Sequence, residues 1–375
     1  MRLLFTCLFA FLVAVAILSE VSAAQDAATS NLSAETTAPN AKAPGIAGST
    51  IALHAISTAN VASEMGGAFM TPAKCDADGN LYLRKFAMDR PMLGPVVKID
   101  PEGKRVALFD LSGFSQLALD RADTFSPASD GGVYQIAQSG ILKPRIYVLH
   151  FASDGSPASP TRLDADFEIY TFAAFSGGNF LVSGVKRDVQ NKDDRGRNFT
   201  AVFSADGREL AQLSWQDTGS AGKTGAKSDG SARQPGTSAG TESAEKSSPT
   251  LDLSDAEVGA DGNLYVMRSS SPAMVTVIGP SGKILRALKV GGPRGAMPTA
   301  FHVSGNRMAI TFWNEESESQ TMVIADAQTG RKISSYSDPV GAGTTFACYE
   351  ANEGVFTFLK LGEGNALLVV RAEAQ

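Results

Sequence analysis

The sequence predicts an all-β fold, a six-bladed β-propeller of four-stranded antiparallel blades in which the N-terminal strand completes the last blade. Three observations lead to this prediction. A turn followed by an alternating apolar strand recurs six times, each repeat has room for four short strands, and no useful length of helical periodicity follows the first 23 residues. A small four-stranded sheet must bury both faces against neighbouring sheets, and a radial arrangement supplies those neighbours.

Residues 1–23 are predicted to be a signal peptide. Arg2 precedes an apolar run from Leu3 to Leu18, and the residues at 21–23 precede a cleavage site near Ala24 or Gln25. A single membrane-spanning anchor is the alternative, although the run is short for about 20 spanning residues and no basic cluster follows it. We therefore expect export to the periplasm or the extracellular space, with no stable membrane span after cleavage.

Two further segments are predicted to stay outside the core. Residues 24–48 are rich in small and polar residues and indicate a disordered lead-in. Residues 217–250 contain no Val, Ile, Leu, Met, Phe, Trp or Tyr, which is typical of a low-complexity insert. The propeller domain is thus expected to span residues 49–375, with the insert between its third and fourth blades.

Six recurring turns mark the repeats. Their marker residues are Gly79, Gly131, Gly178, Gly262, Gly305 and Glu353, separated by 52, 47, 84, 43 and 48 residues. The long step falls to 50 residues when the 34-residue insert is left out. A second turn lies inside five of the repeats, at 100–104, 153–155, 205–208, 280–283 and 328–331. Asp-Gly and Ser-Gly pairs at these turns favour tight hairpins, so each repeat is predicted to hold strands A to D.

The last repeat has only two strands after Gly354, and residues 49–56 form an unassigned alternating strand before the first repeat. If the N-terminal strand completes the last blade, the ring closes by hydrogen bonding between the chain ends and neither end exposes an edge.

Two of the repeats resemble NHL-type repeats of six-bladed propellers. The resemblance rests on residues 76–83 with 97–104, and on residues 259–266 with 277–283. The other repeats share only the turns, and residues 84–87 and 267–270 depart from the NHL pattern after the second strand. In the broad sense, the resemblance extends to the superfamily of gluconolactonase-like and streptogramin-lyase-like propellers, and it implies a six-bladed ring.

Antiparallel connectivity places the A–B and C–D turns on one face and the B–C loops and D-to-A crossings on the other. The second face collects the irregular segments, and variable loops on a rigid scaffold usually carry function. The favoured prediction is a non-catalytic module that binds a protein or small-molecule ligand there. The candidate binding residues are Arg84, Lys85, Arg187, Arg195, Arg268 and Trp313. The net charge of −6 gives no reason to expect nucleic-acid binding. We also expect the protein to be a monomer and to hold no cofactor.

The alternative is a metal-dependent lactonase, another hydrolase or a lyase with its site at the central channel. Gluconolactonase-like propellers hold a divalent cation there, and the carboxylates Glu64, Asp123, Glu168 and Asp255 are the candidate oxygen ligands for a cation such as calcium. Streptogramin-lyase-like propellers need an axial histidine, for which His302 is the candidate.

Two cysteines, Cys75 and Cys348, remain after removal of the signal peptide. They fall in the inner-strand regions of the first and last repeats, which are neighbours across the ring closure. A disulfide bond between them and a pair of buried free thiols are both open interpretations.

Overall fold

A computed structural model describes residues 50–87, 93–140, 144–164, 168–186, 196–213, 251, 253–337 and 344–374. The predicted signal peptide, lead-in and insert lie outside these residues. Among the described residues, no helix is long and apolar enough to cross a membrane.

The described chain is almost entirely β-strand, as the sequence predicts. Strand β1 (Ile51–Asn60) and a short helix α1 (Ala62–Met65) precede five four-stranded units. The first unit contains β2 (Phe69–Cys75), β3 (Leu81–Lys85), β4 (Val96–Ile99) and β5 (Arg105–Phe109), and the second contains β6 (Arg121–Pro127), β7 (Val133–Ser139), β8 (Arg145–Phe151) and β9 (Thr161–Arg162). The third contains β10 (Glu168–Ala174), β11 (Phe180–Lys186), β12 (Arg197–Phe203) and β13 (Glu209–Gln212), and the fourth contains β14 (Ala256–Val258), β15 (Leu264–Arg268), β16 (Ala273–Ile278) and β17 (Ile284–Val290). The fifth contains β18 (Met297–Ser304), β19 (Arg307–Asn314), β20 (Ser319–Asp326) and β21 (Lys332–Ser337).

The last unit contains β22 (Thr344–Glu350), β23 (Val355–Leu361) and β24 (Leu367–Ala374). Short 3-10 turns lie at Leu111–Leu117, Leu253–Asp255 and Glu363–Asn365. Within each unit, consecutive strands pair antiparallel and in chain order. The arrangement of the sheets is that of a β-propeller.

Strand β1 supplies the fourth strand of the last unit. It pairs antiparallel with β24 from Leu53 opposite Ala374 to Asn60 opposite Leu368. Its first two residues, Ile51 and Ala52, also pair parallel with β21, so the last two units form one eight-stranded sheet. The N-terminal strand predicted at residues 49–56 therefore pairs as expected, and it ends at Asn60, four residues later than predicted.

The first strands of the units (β2, β6, β10, β14, β18 and β22) form a closed ring, because each packs beside the next and β22 packs beside β2. The hydrophobic core lies between neighbouring units. Between the last unit and the first, for example, Leu81 and Val97 pack with Leu359 and Val369. Between the first unit and the second, Tyr82 and Phe109 of the first pack with Phe151 of the second. Each buried Leu or Phe in these gaps contributes about 2–5 kcal/mol relative to alanine.

The turn after β2 illustrates how the repeated Asp-Gly turns are held. The Asp76 carboxylate accepts hydrogen bonds from the side-chain Nδ2 of Asn80 at 3.0 Å and the Tyr82 hydroxyl at 2.9 Å, and it pairs with Lys98 at 3.1 Å. Burial alone would raise the pKa of Asp76, but these hydrogen bonds and the Lys98 ammonium lower it below its usual value. Gly79 adopts φ +76°, a left-handed conformation that glycine tolerates.

Candidate functional site

The first strands of the units share one equivalent position, which is defined by strand pairing. In each unit, the residue at this position pairs with the second core residue of the next strand. Lys74 pairs with Tyr82, Glu257 with Tyr265 and His302 with Ala309. We call this set the axial layer. Its members are Lys74, Ser126, Ala173, Glu257, His302 and Cys348. All six lie within a few residues of the A–B turns, which we call the turn face; the opposite face is the loop face.

An ion cluster occupies part of the axial layer. Lys74 Nζ lies 3.5 Å from Glu257 Oε1 and donates a hydrogen bond to the Ala256 carbonyl oxygen at 3.2 Å. His302 Nδ1 lies 3.5 Å from the other carboxylate oxygen, Glu257 Oε2. The Lys74, Glu257 and His302 side chains are only 6%, 11% and 6% exposed. Because β2 packs beside β6 and β22, whereas β14 packs beside β10 and β18, the Lys74–Glu257 pair joins two first strands that are not neighbours in the ring.

The electrostatics of the cluster favour an ionised Glu257. Burial by itself would raise the pKa of this carboxyl, but the Lys74 ammonium and the hydrogen bond with His302 lower it below its ordinary value. The charged pair is therefore retained in a nearly solvent-free position, where an unpaired charge would cost several kcal/mol.

The two cysteines adjoin this cluster. Cys75 and Cys348 are joined as a disulfide in the structure, with their Cα atoms 6.0 Å apart. The Cys75 sulfur lies 3.8 Å from His302 Nδ1 and 4.0 Å from His302 Nε2. The disulfide thus joins the first strands of the first and last units, beside the ion cluster.

Sequence reasoning identified His302 as an axial candidate but missed Lys74 and Glu257. A signal for both residues is present in the repeats. Each lies five residues before the turn glycine of its repeat, Gly79 or Gly262, and these are the two repeats with the clearest mutual similarity. Two residues of opposite charge at the same repeat position, on first strands that are not neighbours, can form an ion pair within the ring.

Arg84 is not available as a loop-face contact residue. It is 2% exposed, and its guanidinium donates to the Gly94 carbonyl at 2.7 Å and to Gln135 Oε1 at 2.8 Å. Its guanidinium carbon also lies 5.6 Å from the centre of the Phe125 ring. The prediction that Arg84 is an exposed binding residue is corrected here, since the side chain bridges the first two units from within.

The other described binding candidates lie on the loop face. Lys85 is partly exposed at the end of β3, and Arg268 is exposed at the end of β15. Trp313 is half-buried near the end of β19, opposite Met297 of β18. Arg187 and Arg195 lie outside the described residues.

The loop face also carries exposed apolar side chains that the sequence did not single out. Phe86, Tyr170, Met297 and Leu361 are 39%, 41%, 46% and 70% exposed, and each lies at or beside the loop-face end of a first or second strand. The other exposed large apolar side chains of the described chain lie on the outer strands β1, β5, β13, β17 and β21. Basic residues end or nearly end four of the second strands: Lys85, Lys186, Arg268 and Lys360.

The four candidate metal carboxylates are not brought together as a described site. Glu64 lies on α1, where its side chain and carbonyl oxygens accept hydrogen bonds from Arg105 of the outer strand β5. That position is away from the ring of first strands, so the expectation that Glu64 reaches the axis is wrong. Glu168 is exposed and accepts a hydrogen bond from the Tyr170 hydroxyl at 2.6 Å, and Asp255 precedes β14.

The side chain of Asp123 lies outside what the structure describes. Among the described residues, no group of three or more His, Cys, Asp or Glu side chains is arranged to hold a metal ion.

A small pocket of about 220 Å³ opens beside the 3-10 turn Leu111–Leu117. Leu93, Leu111, Phe114 and Leu119 give it a mainly apolar lining, with hydroxyls from Ser112 and Ser115. The pocket belongs to the crossing from the first unit to the second, on the loop face.

No protein-family model matches the sequence, and no curated protein matches it. Solved structures of similar fold include the following three. A Bacteroides caccae protein of unknown function has 12% identity and a TM-score of 0.42, covering 72% of this chain and 81% of its own. The Dos1 propeller has 10% identity and a TM-score of 0.37, covering 78% of this chain and 75% of its own.

The third similar structure is a puromycin hydrolase, with 15% identity and a TM-score of 0.38. The match covers 78% of this chain but only 42% of the hydrolase. At these identities and TM-scores the similarities carry no inference about activity or ligand, because propellers host unrelated functions.

Proposed function

We propose that the protein is an exported, non-catalytic β-propeller that binds a protein or small-molecule ligand through its loop face. One observation carries the proposal: exposed Phe86, Tyr170, Met297 and Leu361 lie at strand ends on that face. Exposed large apolar side chains beside basic residues are typical of recognition surfaces, where apolar contacts supply affinity and charges supply specificity.

The opposite face is less suited to binding. Its A–B turns are built largely from Asp, Gly and Asn, and their carboxylates are used to hold the turns themselves. Asp130 accepts a hydrogen bond from the Gly132 backbone N, for example, and Asp261 from that of Asn263. Polar groups already bonded within a turn have little remaining capacity for a ligand.

The ring is further proposed to have six blades with NHL-like repeats. The eight-stranded sheet divides at the two-residue contact between β21 and β1 into two four-stranded sets, which together with the other four sheets make six. The six hydrophobic clusters, each located between two neighbouring units, support the same count in the described chain.

Three of the exposed residues come from adjacent units of the ring. Met297 belongs to the fifth unit, Leu361 to the last and Phe86 to the first, and Trp313 pairs with Met297. Lys85 and Lys360 are each next in sequence to an exposed apolar residue. A ligand with an apolar group and an anionic group matches this combination.

Binding libraries test the proposal with matched variants. A triple loop-face variant (Phe86→Ser, Met297→Ser and Leu361→Ser) is compared with a triple outer-strand variant (Val106→Ser, Leu210→Ser and Leu285→Ser) of similar exposure. Both are applied, with the wild-type protein, to immobilised peptide and glycan libraries.

Ligands retained by the wild-type protein are expected to lose at least tenfold in affinity for the loop-face variant and to keep their affinity for the outer-strand variant. Loss confined to the outer-strand variant, or equal affinity of all three proteins, would contradict the proposal.

A further inference from the structure

We propose that the protein forms a two-fold symmetric dimer through its loop face, so that the partner recognised there is a second copy of the same chain. The contact surface covers three units of the ring, with the last unit between the fifth and the first. The inference rests on the proposed loop-face function, names its partner, and replaces the expectation of a monomer.

An exposed apolar side chain projects from each of the three units. Leu361 of the last unit is 70% exposed, Met297 of the fifth 46% and Phe86 of the first 39%. None of the three lines the small pocket beside the Leu111–Leu117 turn. Small-molecule sites are concave and enclose most of their ligand, whereas projecting apolar side chains fit the core of a protein–protein contact. The surface therefore suits another protein surface.

The fifth unit places negative charge at one side of this surface. Residues 315–318, which we call the acidic loop, join β19 to β20, are exposed and contain three glutamates. The Asn314 side-chain oxygen accepts hydrogen bonds from the backbone N of Glu316 at 2.9 Å and of Ser317 at 3.1 Å, which hold the loop in place. Arg294 lies nearby, since its carbonyl oxygen accepts a hydrogen bond from Asn314 Nδ2 at 3.2 Å, and it offsets one of the three charges.

The first unit places positive charge at the other side. Lys85 ends β3, and its ammonium lies beside residues 66–67 in the crossing from the last unit to the first. Glu64 in the same crossing is directed to Arg105 of the outer strand β5. Within the described chain, neither Lys85 nor the glutamate side chains of the acidic loop form an ion pair.

A two-fold axis through the last unit makes this pattern self-complementary. In the B–C loop of that unit, Lys360 and Glu363 carry opposite charges on either side of Leu361 and Gly362. Rotation about an axis normal to the face brings the first unit of one copy opposite the fifth unit of the other, and the same contact occurs a second time in reverse. Lys85 of each copy then faces the acidic loop of the other, and opposite charges placed in this way fix the register of an interface.

Sedimentation equilibrium of the purified protein tests the dimer. We expect a monomer–dimer equilibrium with a dissociation constant below about 1 mM. Added salt should weaken the dimer, because exposed charge pairs are screened. A wild-type protein that remains a monomer up to about 1 mM would overturn the inference, while the library test of the loop face would still stand on its own.

Two charge-reversal variants test the arrangement of the contact. One carries Lys85→Glu, and the other carries Glu315→Lys, Glu316→Lys and Glu318→Lys. Each variant alone places like charges across both contacts, so its self-association should weaken at least about tenfold. An equimolar mixture restores opposite charges at both contacts and should form a heterodimer.

The matched control is Lys283→Glu, which reverses an exposed lysine of a C–D turn and should dimerise like the wild type. A mixture of the two variants that stays monomeric where the wild type dimerises, or a control that loses as much affinity as Lys85→Glu, would overturn the proposal.

A measurement on the wild-type chain covers the case in which a variant does not fold. Isotope-labelled and unlabelled copies are mixed and treated with a carbodiimide, which joins a lysine directly to a neighbouring carboxylate. We expect peptides that link Lys85 to the acidic loop and combine one labelled with one unlabelled partner. Dimers whose mixed-label links exclude Lys85 and the acidic loop would also overturn the proposal.

Discussion

Removing the Lys74 ammonium tests the role of the axial ion cluster in stability. Lys74→Met keeps most of the side-chain volume but leaves Glu257 as a buried anion whose remaining partner is His302. Breaking a buried pair by removing one member typically costs about 3–5 kcal/mol. Because the Lys74 side chain is 6% exposed and the Glu257 side chain 11% exposed, solvent relieves little of this cost. We expect a loss of about 3 kcal/mol.

The assay is equilibrium unfolding in urea at neutral pH, with the change read from the midpoint at an unchanged slope. Lys283→Met, which alters an exposed lysine of a C–D turn, is the control and should change stability by less than about 0.5 kcal/mol. The double variant Lys74→Met with Glu257→Gln removes both charges and should be about 2 kcal/mol more stable than Lys74→Met alone. A Lys74→Met protein as stable as Lys283→Met, or a double variant less stable than the single one, would refute the reasoning.

Three further predictions concern stability. The folded protein lowers the pKa values of Asp76, Glu257 and Asp261, so these ionised carboxylates stabilise it above about pH 4, the pKa of such groups in the unfolded chain. This stabilisation is lost as the pH falls through the pKa values of the folded state. The free energy of unfolding, measured as a function of pH, should show this loss, and its dependence on pH should be weaker in Asp76→Asn. Gly207→Ala should lower the free energy of unfolding by more than about 1 kcal/mol, because φ is +87° and the new Cβ would lie 2.1 Å from the Arg162 carbonyl oxygen. Gly305→Ala should lower it less, because φ is +57° and the new Cβ would have no neighbour within 4 Å. Thermal unfolding of both proteins checks the difference. Cys75→Ala with Cys348→Ala opens a loop of sequence separation 273 and should lower stability by up to about 5 kcal/mol in denaturant unfolding, with no loss if the wild-type thiols are free.

Much of the fold could be predicted because each repeat begins with residues that favour a tight turn locally. Asp76 through Asn80 specify a hairpin without reference to the rest of the chain, and the same pattern returns at 259–263. The missing outer strand of the last repeat likewise indicated where β1 pairs. The additional parallel contact of Ile51 and Ala52 with β21 was not predictable, because a two-residue pairing between neighbouring sheets leaves no periodicity in sequence.

The site was harder to predict because it depends on positions rather than motifs. Arg84 reads as a surface residue at a strand end, but its partners Gly94 and Gln135 come from a loop and from another unit. Lys74 and Glu257 are 183 residues apart and meet only because the ring brings their two first strands close together. Such pairs become visible when repeats are aligned and each repeat position is compared for charge and shape.

The location of the binding surface is tested most directly by site-specific photo-crosslinking in cells that produce the protein. A benzophenone amino acid is introduced at Phe86 or Leu361 on the loop face, and at Val106 or Leu285 on outer strands as controls of comparable exposure. We predict adducts of defined mass from the two loop-face positions and none from the controls. Adducts from the outer-strand positions alone, or equal yields at all four, would contradict recognition through the loop face.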